Sequence, residues 1–145
     1  MEADTVVVRT ANDELTGTVV ATYTNRTDQP VYLGTCGSSS HPGFTMDKEV
    51  EGSWVLSYDP VCALDAGPPF EVLPGEARTD TLRLWDTLRP NSLRYFQSPE
   101  VSGTYRIVYQ VYGCCNSPPG GAVRLGSRLP REEHVSEAFR IALAN

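Results

Sequence analysis

The chain has 145 residues, 40% hydrophobic and 21% charged, a size and balance that fit one globular domain, residues 1–145, and argue against disorder. Its net charge of −6 and the lack of any basic run speak against a phosphate-binding surface, so no nucleic-acid partner is expected. No apolar run approaches the roughly 20 residues of a membrane-spanning helix, so no membrane span is expected either.

Met1-Glu2-Ala3-Asp4 is polar and acidic, unlike a signal peptide; the initial Met is either native or stands in for a removed targeting segment. Thr5 to Arg9 is β-branched and reads as a short first strand, followed by a polar turn at Asn12-Asp13-Glu14. Gly17 to Asn25 is the second strand, with Val19, Ala21 and Tyr23 on one face and Thr18, Thr22 and Thr24 on the other. Asn25 to Pro30 turns the chain, because Asn and Asp bond their own backbone and Pro is confined to strand beginnings. Val31 to Thr35 is the third strand, and Gly37 to Gly43 is a loop by composition.

Phe44 to Val50 pairs with Ser53 to Tyr58 across a Glu51-Gly52 turn, and Asp59-Pro60 ends the hairpin. Ala66 to Pro69 is a connection; Phe70 to Leu73 alternates briefly, and Pro74-Gly75-Glu76 turns again. Thr79 to Trp85 alternates with Leu82 and Leu84 on one face, so Trp85 falls on the other and is expected to be exposed. Residues 86–102 are irregular, with a helical turn expected at Ser92 to Phe96.

The firmest strand is Gly103 to Gly113, where Tyr105, Ile107, Tyr109 and Val111 alternate with Thr104, Arg106 and Gln110, the pattern of a half-buried strand. It is taken as the central strand. A Pro- and Gly-rich loop at 114–133 separates it from a last strand at Val135 to Leu143. Many short strands with turn signals between them, and no helical period, predict an all-β sandwich or barrel.

Gly103-Thr104-Tyr105-Arg106-Ile107 resembles the start of strand F in immunoglobulin-like sandwiches, where a Tyr hydroxyl closes the corner between strands E and F. Ile107 holds the position of the usual second Cys and the second strand offers no Cys, so the antibody-type cross-sheet disulfide is absent from the pattern. With Asn25…Asp28-Gln29-Pro30-Val31, Gly52-x-Trp54 and Leu73-Pro74-Gly75-Glu76, the chain from about residue 5 to 143 resembles bacterial immunoglobulin-like domains. More loosely it resembles the BsuPI type, named for an intracellular proteinase inhibitor. The resemblance implies an immunoglobulin-like Greek-key sandwich of about seven to nine strands; fold analogy alone assigns no activity.

The four cysteines are Cys36, Cys62, Cys114 and Cys115. If strands alternate in direction, Cys36 and Cys62 fall at one end of the sandwich and Cys114 at the other, which points to a Cys36–Cys62 disulfide. Closing that loop contributes roughly 3 kcal/mol in the chain-entropy model and implies an oxidising compartment, that is a periplasmic, cell-surface or secreted domain. The alternative is two small buried hydrophobes. For Cys114 and Cys115 a vicinal disulfide, free thiols and an intermolecular bridge all remain open.

No catalytic constellation is expected. Cys36, His41 and Cys62 fit no zinc spacing, so neither a metal site nor a cofactor is expected. Ser38 to Ser40 beside His41 lack a nucleophile elbow, and His134 follows two glutamates as a solvated residue. Asp59 and Asp65 lie in loops that nothing brackets around a pocket. Asn25-Arg26-Thr27 matches the N-glycosylation sequon, taken as coincidence at a strand turn.

Trp54, Trp85 and Tyr95-Phe96 are candidates for a sugar-binding face or for packing. The loop at 114–133 carries Arg124, Leu125, Arg128 and Arg131, a basic cluster on an acidic protein, and loops of that length are uncommon unless functional or mobile. The expectation is a non-enzymatic, extracytoplasmic structural or protein-interaction module contacting a partner through those four residues. The alternatives are a proteinase inhibitor using the same loop and a carbohydrate-binding module. The partner's identity and the oligomeric state stay open.

Overall fold

A computed structural model describes residues 5–36, 41–60, 68–113 and 135–144. Among these the protein is all β, as expected, with ten strands and no helix. They are β1 (Thr5–Ala11), β2 (Glu14–Thr24), β3 (Val31–Leu33), β4 (Phe44–Val50), β5 (Ser53–Tyr58), β6 (Phe70–Val72), β7 (Ala77–Thr87), β8 (Gly103–Tyr109), β9 (Val111–Gly113) and β10 (Phe139–Ala144). A mixed seven-stranded sheet runs β5-β4-β8-β10-β1-β2-β7, and a three-stranded sheet runs β6-β3-β9.

The seven-stranded sheet wraps around its own core to make a β-sandwich. Strands β2 and β8 are separated in the sheet by β10 and β1, yet the rings of Tyr23 and Tyr109 meet edge-on at 5.7 Å. One buried cluster takes Val19, Tyr23 and Leu82 from one side and Met46, Ile107 and Tyr109 from the other. Each fully buried side chain of this kind contributes roughly 1.5–3 kcal/mol. The hinge of the wrap is β1, which pairs in parallel with β10 over Thr5 to Arg9 and antiparallel with β2 over Arg9 to Ala11. At Gly17 a β-carbon would stand 3.1 Å from Val8 Cγ2 and 3.3 Å from the Val7 carbonyl, so the missing side chain lets β1 lie close against β2.

The hairpins form where turn chemistry demands. Asn12-Asp13 and Glu51-Gly52 all have positive φ, between 52° and 80°, the conformation of two-residue turns that match strand twist. The first turn takes only Asn12-Asp13, so β2 starts at Glu14, three residues before the expected Gly17, and the β2–β7 ladder runs unbroken from Glu14–Thr87 to Thr24–Ala77.

Three expectations need correction. The strand expected at 103–113 is interrupted at Gln110, with β8 and β9 in different sheets. Its partner leaves the ladder at that level: Gly34 N–H bonds the Gln110 carbonyl, and the chain returns at Gly43, whose N–H bonds the Gly34 carbonyl. Thus β3 and β4 follow one another along β9 and β8.

The last strand begins at Phe139, not Val135. Val135 makes an isolated bridge to Val108, and the Ser136 hydroxyl takes the Ile107 N–H in place of a ladder carbonyl.

Ser92 to Phe96 forms no helical turn. Tyr95 and Phe96 N–H groups bond the Asp86 carboxylate, and Phe96 bridges Tyr58 of β5.

Candidate functional site

Three buried charged side chains act as braces. The Asp86 carboxylate is fully buried; it accepts from Arg94 Nε at 2.9 Å and from the N–H groups of Thr87, Tyr95 and Phe96. Asp47, also fully buried, pairs with Arg106 at 3.0 Å, whose guanidinium lies 4.5 Å over the Trp54 ring. Lys48 extends inward past Tyr105 and donates to the Glu100 carbonyl. Partnering makes each burial tolerable, since an isolated buried charge costs several kcal/mol or more.

Asn25 is a neutral counterpart. It is fully buried; Nδ2 donates to the carbonyls of Val72 and Gln29, and Oδ1 accepts from Thr27 N–H and Oγ1. Its backbone joins Gly75 and Glu76, so the sequon asparagine ties the β2–β3 and β6–β7 turns together. Tyr105 Oη donates to the Val101 carbonyl at 2.7 Å, the short-range bond of a tyrosine corner.

The aromatic candidates separate. Phe96 is core. Trp54 is half-buried beneath Arg106. Trp85 is exposed, as its place in the alternation predicts, with 37% of its surface accessible. Tyr95 packs against it at 5.3 Å, nearly perpendicular, and is itself edge-on to Tyr58 at 6.0 Å. The Tyr58 hydroxyl accepts from Trp85 N–H at 3.1 Å and donates to the Trp85 carbonyl at 3.2 Å. Burial pushes the Tyr58 phenol up to about 12, the Trp85 backbone bond opposes this, and the nearby Asp86 charge adds to it.

Around Trp85 the strand register assembles residues that sequence reasoning left unconnected. Arg9 stands opposite Thr16, and Thr16 opposite Trp85, in one row across β1, β2 and β7. Thr18 and Arg83 form the next row on the same face. All five are exposed. Neighbouring strands lie about 4.8 Å apart, so the row from Arg9 to Trp85 spans about 10 Å. Among the described residues neither Arg9 nor Arg83 makes a salt bridge. The period-two alternation places Arg83 on the Trp85 side; Arg9 needs the register with β1, which no local signal supplies.

Other candidates stand as follows. Cys36 is disulfide-bonded, and the pairing with Cys62 and the state of Cys114 and Cys115 lie outside the described residues. So do Arg124, Leu125, Arg128 and Arg131, with Ser38 to Ser40, Asp65 and His134. His41 Nδ1 lies 2.9 Å from the Pro42 carbonyl and its ring against Phe44 at 6.0 Å. Asp59 is exposed beyond the end of β5. Among the described residues no group of three or more His, Cys, Asp or Glu is placed to hold a metal ion, and no helix is long and apolar enough to cross a membrane.

The chain matches no protein-family model, no curated protein and no solved structure.

Proposed function

We propose that this protein is a non-enzymatic, immunoglobulin-like binding module working outside the cytoplasm, a rigid sandwich that holds recognition surfaces for a partner. The observation that carries this reading is the use of the buried charges. Asp47, Lys48 and Asp86 are each engaged in bracing the frame, which leaves recognition to exposed groups such as Trp85. The Tyr105–Val101 corner supports the immunoglobulin-like assignment, and the disulfide-bonded Cys36 supports an oxidising compartment.

Chain direction favours Cys62 as the partner of Cys36. Gly43, just ahead of β4, returns to Gly34, two residues before Cys36; β5 runs back antiparallel to β4 and ends toward Pro60. Gly113 stands opposite Val31, at the other end of β3. In this reading the 114–133 segment, with Arg124, Leu125, Arg128 and Arg131, contacts a protein partner.

The test exchanges 115–133 for a short Gly/Ser linker and compares partner capture from an extract of the native compartment, with disulfide mapping of the same protein. A partner held by the wild type and lost on exchange, together with a Cys36–Cys62 crosslink, is the expected result. No partner for either protein, or four free thiols in the native compartment, would sink the proposal.

A further inference from the structure

We infer that the outer face of β1, β2 and β7 binds an acidic polysaccharide, a chain of sugars bearing carboxylate or sulfate groups, laid over Trp85 and the β2 threonines, with Arg83 beside the indole on β7 and Arg9 across β2 from it. The inference rests on the binding-module reading but assigns a different surface from residues 114–133.

Trp85 supplies the apolar contact. A sugar ring presents axial C–H bonds on one face, and an exposed indole is the side chain best suited to receive them, large and apolar with a rigid plane. Its position is fixed before any ligand arrives. The backbone of Trp85 is clamped at both polar groups by Tyr58 Oη, and its ring leans on Tyr95, which leans on Tyr58 in the core. A preorganised contact avoids the entropy of ordering a free side chain on binding.

Arg9 and Arg83 supply the charge. They flank the Thr16–Trp85 pair on the same exposed face, and neither has a carboxylate partner among the described residues. Two guanidinium groups beside an exposed indole, with no salt bridge among the described residues, on a protein of net charge −6, form a local site for anions with planar, two-pronged recognition of carboxylate or sulfate. Glu14 stands on this face opposite Ala11, beyond Thr16, and limits how far an anionic chain extends in that direction. The hydroxyls of Thr16 and Thr18 can bond sugar hydroxyls between the two arginines. The outer face of a sheet is open-ended, which fits a polymer crossing it better than a small molecule needing enclosure.

Titration of the full chain with polygalacturonate and with dextran sulfate, followed by tryptophan fluorescence and calorimetry, tests this against neutral dextran. Expected are binding of at least one acidic polymer, weakening as salt rises, and none of neutral dextran. Trp85→Ala and Arg83→Glu each lower affinity at least tenfold, and Arg9→Glu does the same. Trp54→Phe leaves the affinity and the fluorescence change in place. Arg83→Glu alters charge on a solvated face, where a substitution is expected to change stability little; an unfolding midpoint measured on the same variant separates lost binding from lost fold.

If neither acidic polymer binds, or if binding survives both Arg83→Glu and Trp85→Ala, the inference is overturned. A polymer that binds wild type but not the 115–133 exchange, with Arg83→Glu unaffected, overturns it too, while leaving the binding-module reading intact.

Discussion

Tyr58 and Trp85 join the two outermost strands of the seven-stranded sheet. One phenolic oxygen on β5 serves both the N–H and the carbonyl of Trp85 on β7. Backbone groups on an edge strand otherwise invite pairing with another chain, and here a side chain occupies them. Tyr58→Phe keeps the ring and removes the oxygen. It is expected to cost about 1–2 kcal/mol in denaturant unfolding and to raise the mobility of Trp85, read as lower fluorescence anisotropy. An unchanged midpoint would mean water replaces the hydroxyl fully.

Alkali should unfold the sandwich through its core tyrosines. Burial raises Tyr58 from the ordinary 10.0 to about 12, and burial raises Tyr105 and Tyr109 as well. A phenol held neutral in the folded state contributes stability that is fully present below the unfolded value and lost as pH climbs through the folded one. Between about pH 10 and 12, phenolate absorbance from these side chains should rise together with the loss of near-ultraviolet dichroism. Full ionisation with dichroism retained would contradict their burial.

Asn25 offers a case where size matters less than polarity. Asn25→Ala strands the Val72 carbonyl and the Thr27 N–H at a buried corner, each at roughly 1–3 kcal/mol. Asn25→Asp keeps the acceptor for Thr27 but removes the donors to Val72 and Gln29. Both should destabilise by more than about 2 kcal/mol, measured by chemical unfolding. A loss under half of that in either variant would mean the corner relaxes to find other partners.

Gly103 and Lys48 should be energetically coupled. Gly103 has φ 153°, and a β-carbon there would stand 2.6 Å from Lys48 Cε. Gly103→Ala is expected to cost about 1–3 kcal/mol from strain of this kind. In a Lys48→Ala background the clash is gone and only the backbone cost remains, so the double-mutant cycle should give a coupling of about 0.5–3 kcal/mol. Strict additivity would show that Lys48 swings aside freely.

What the sequence disclosed follows the range of the forces involved. The alternation from Tyr105 to Val111 is legible because a half-buried strand sorts its own neighbours, and all four inward residues are buried. Trp85 was legible for the same reason. The break at Gln110 was not, because it depends on where a partner far along the chain leaves the ladder at Gly34. Asp86 drew no attention at the start of the irregular stretch 86–102; its carboxylate reaches N–H groups nine and ten residues onward and overrides the local helical tendency of Ser92 to Phe96. Likewise Arg9 joined Trp85 only through two successive strand registers.

The parallel pairing of β1 with β10 gives the domain a mechanical character. Five consecutive residue pairs, Thr5–Arg140 to Arg9–Ala144, link the first strand to the last. A pull applied ahead of β1 and behind β10 draws parallel neighbours in opposite directions along their length. The load then falls on all of their hydrogen bonds together, in shear. An antiparallel hairpin such as β4–β5, pulled from its open end, would instead lose its bonds singly and in sequence. Single-molecule extension from the two ends should therefore meet a higher rupture force than extension across that hairpin, and a force no higher would show that β1 detaches without shearing.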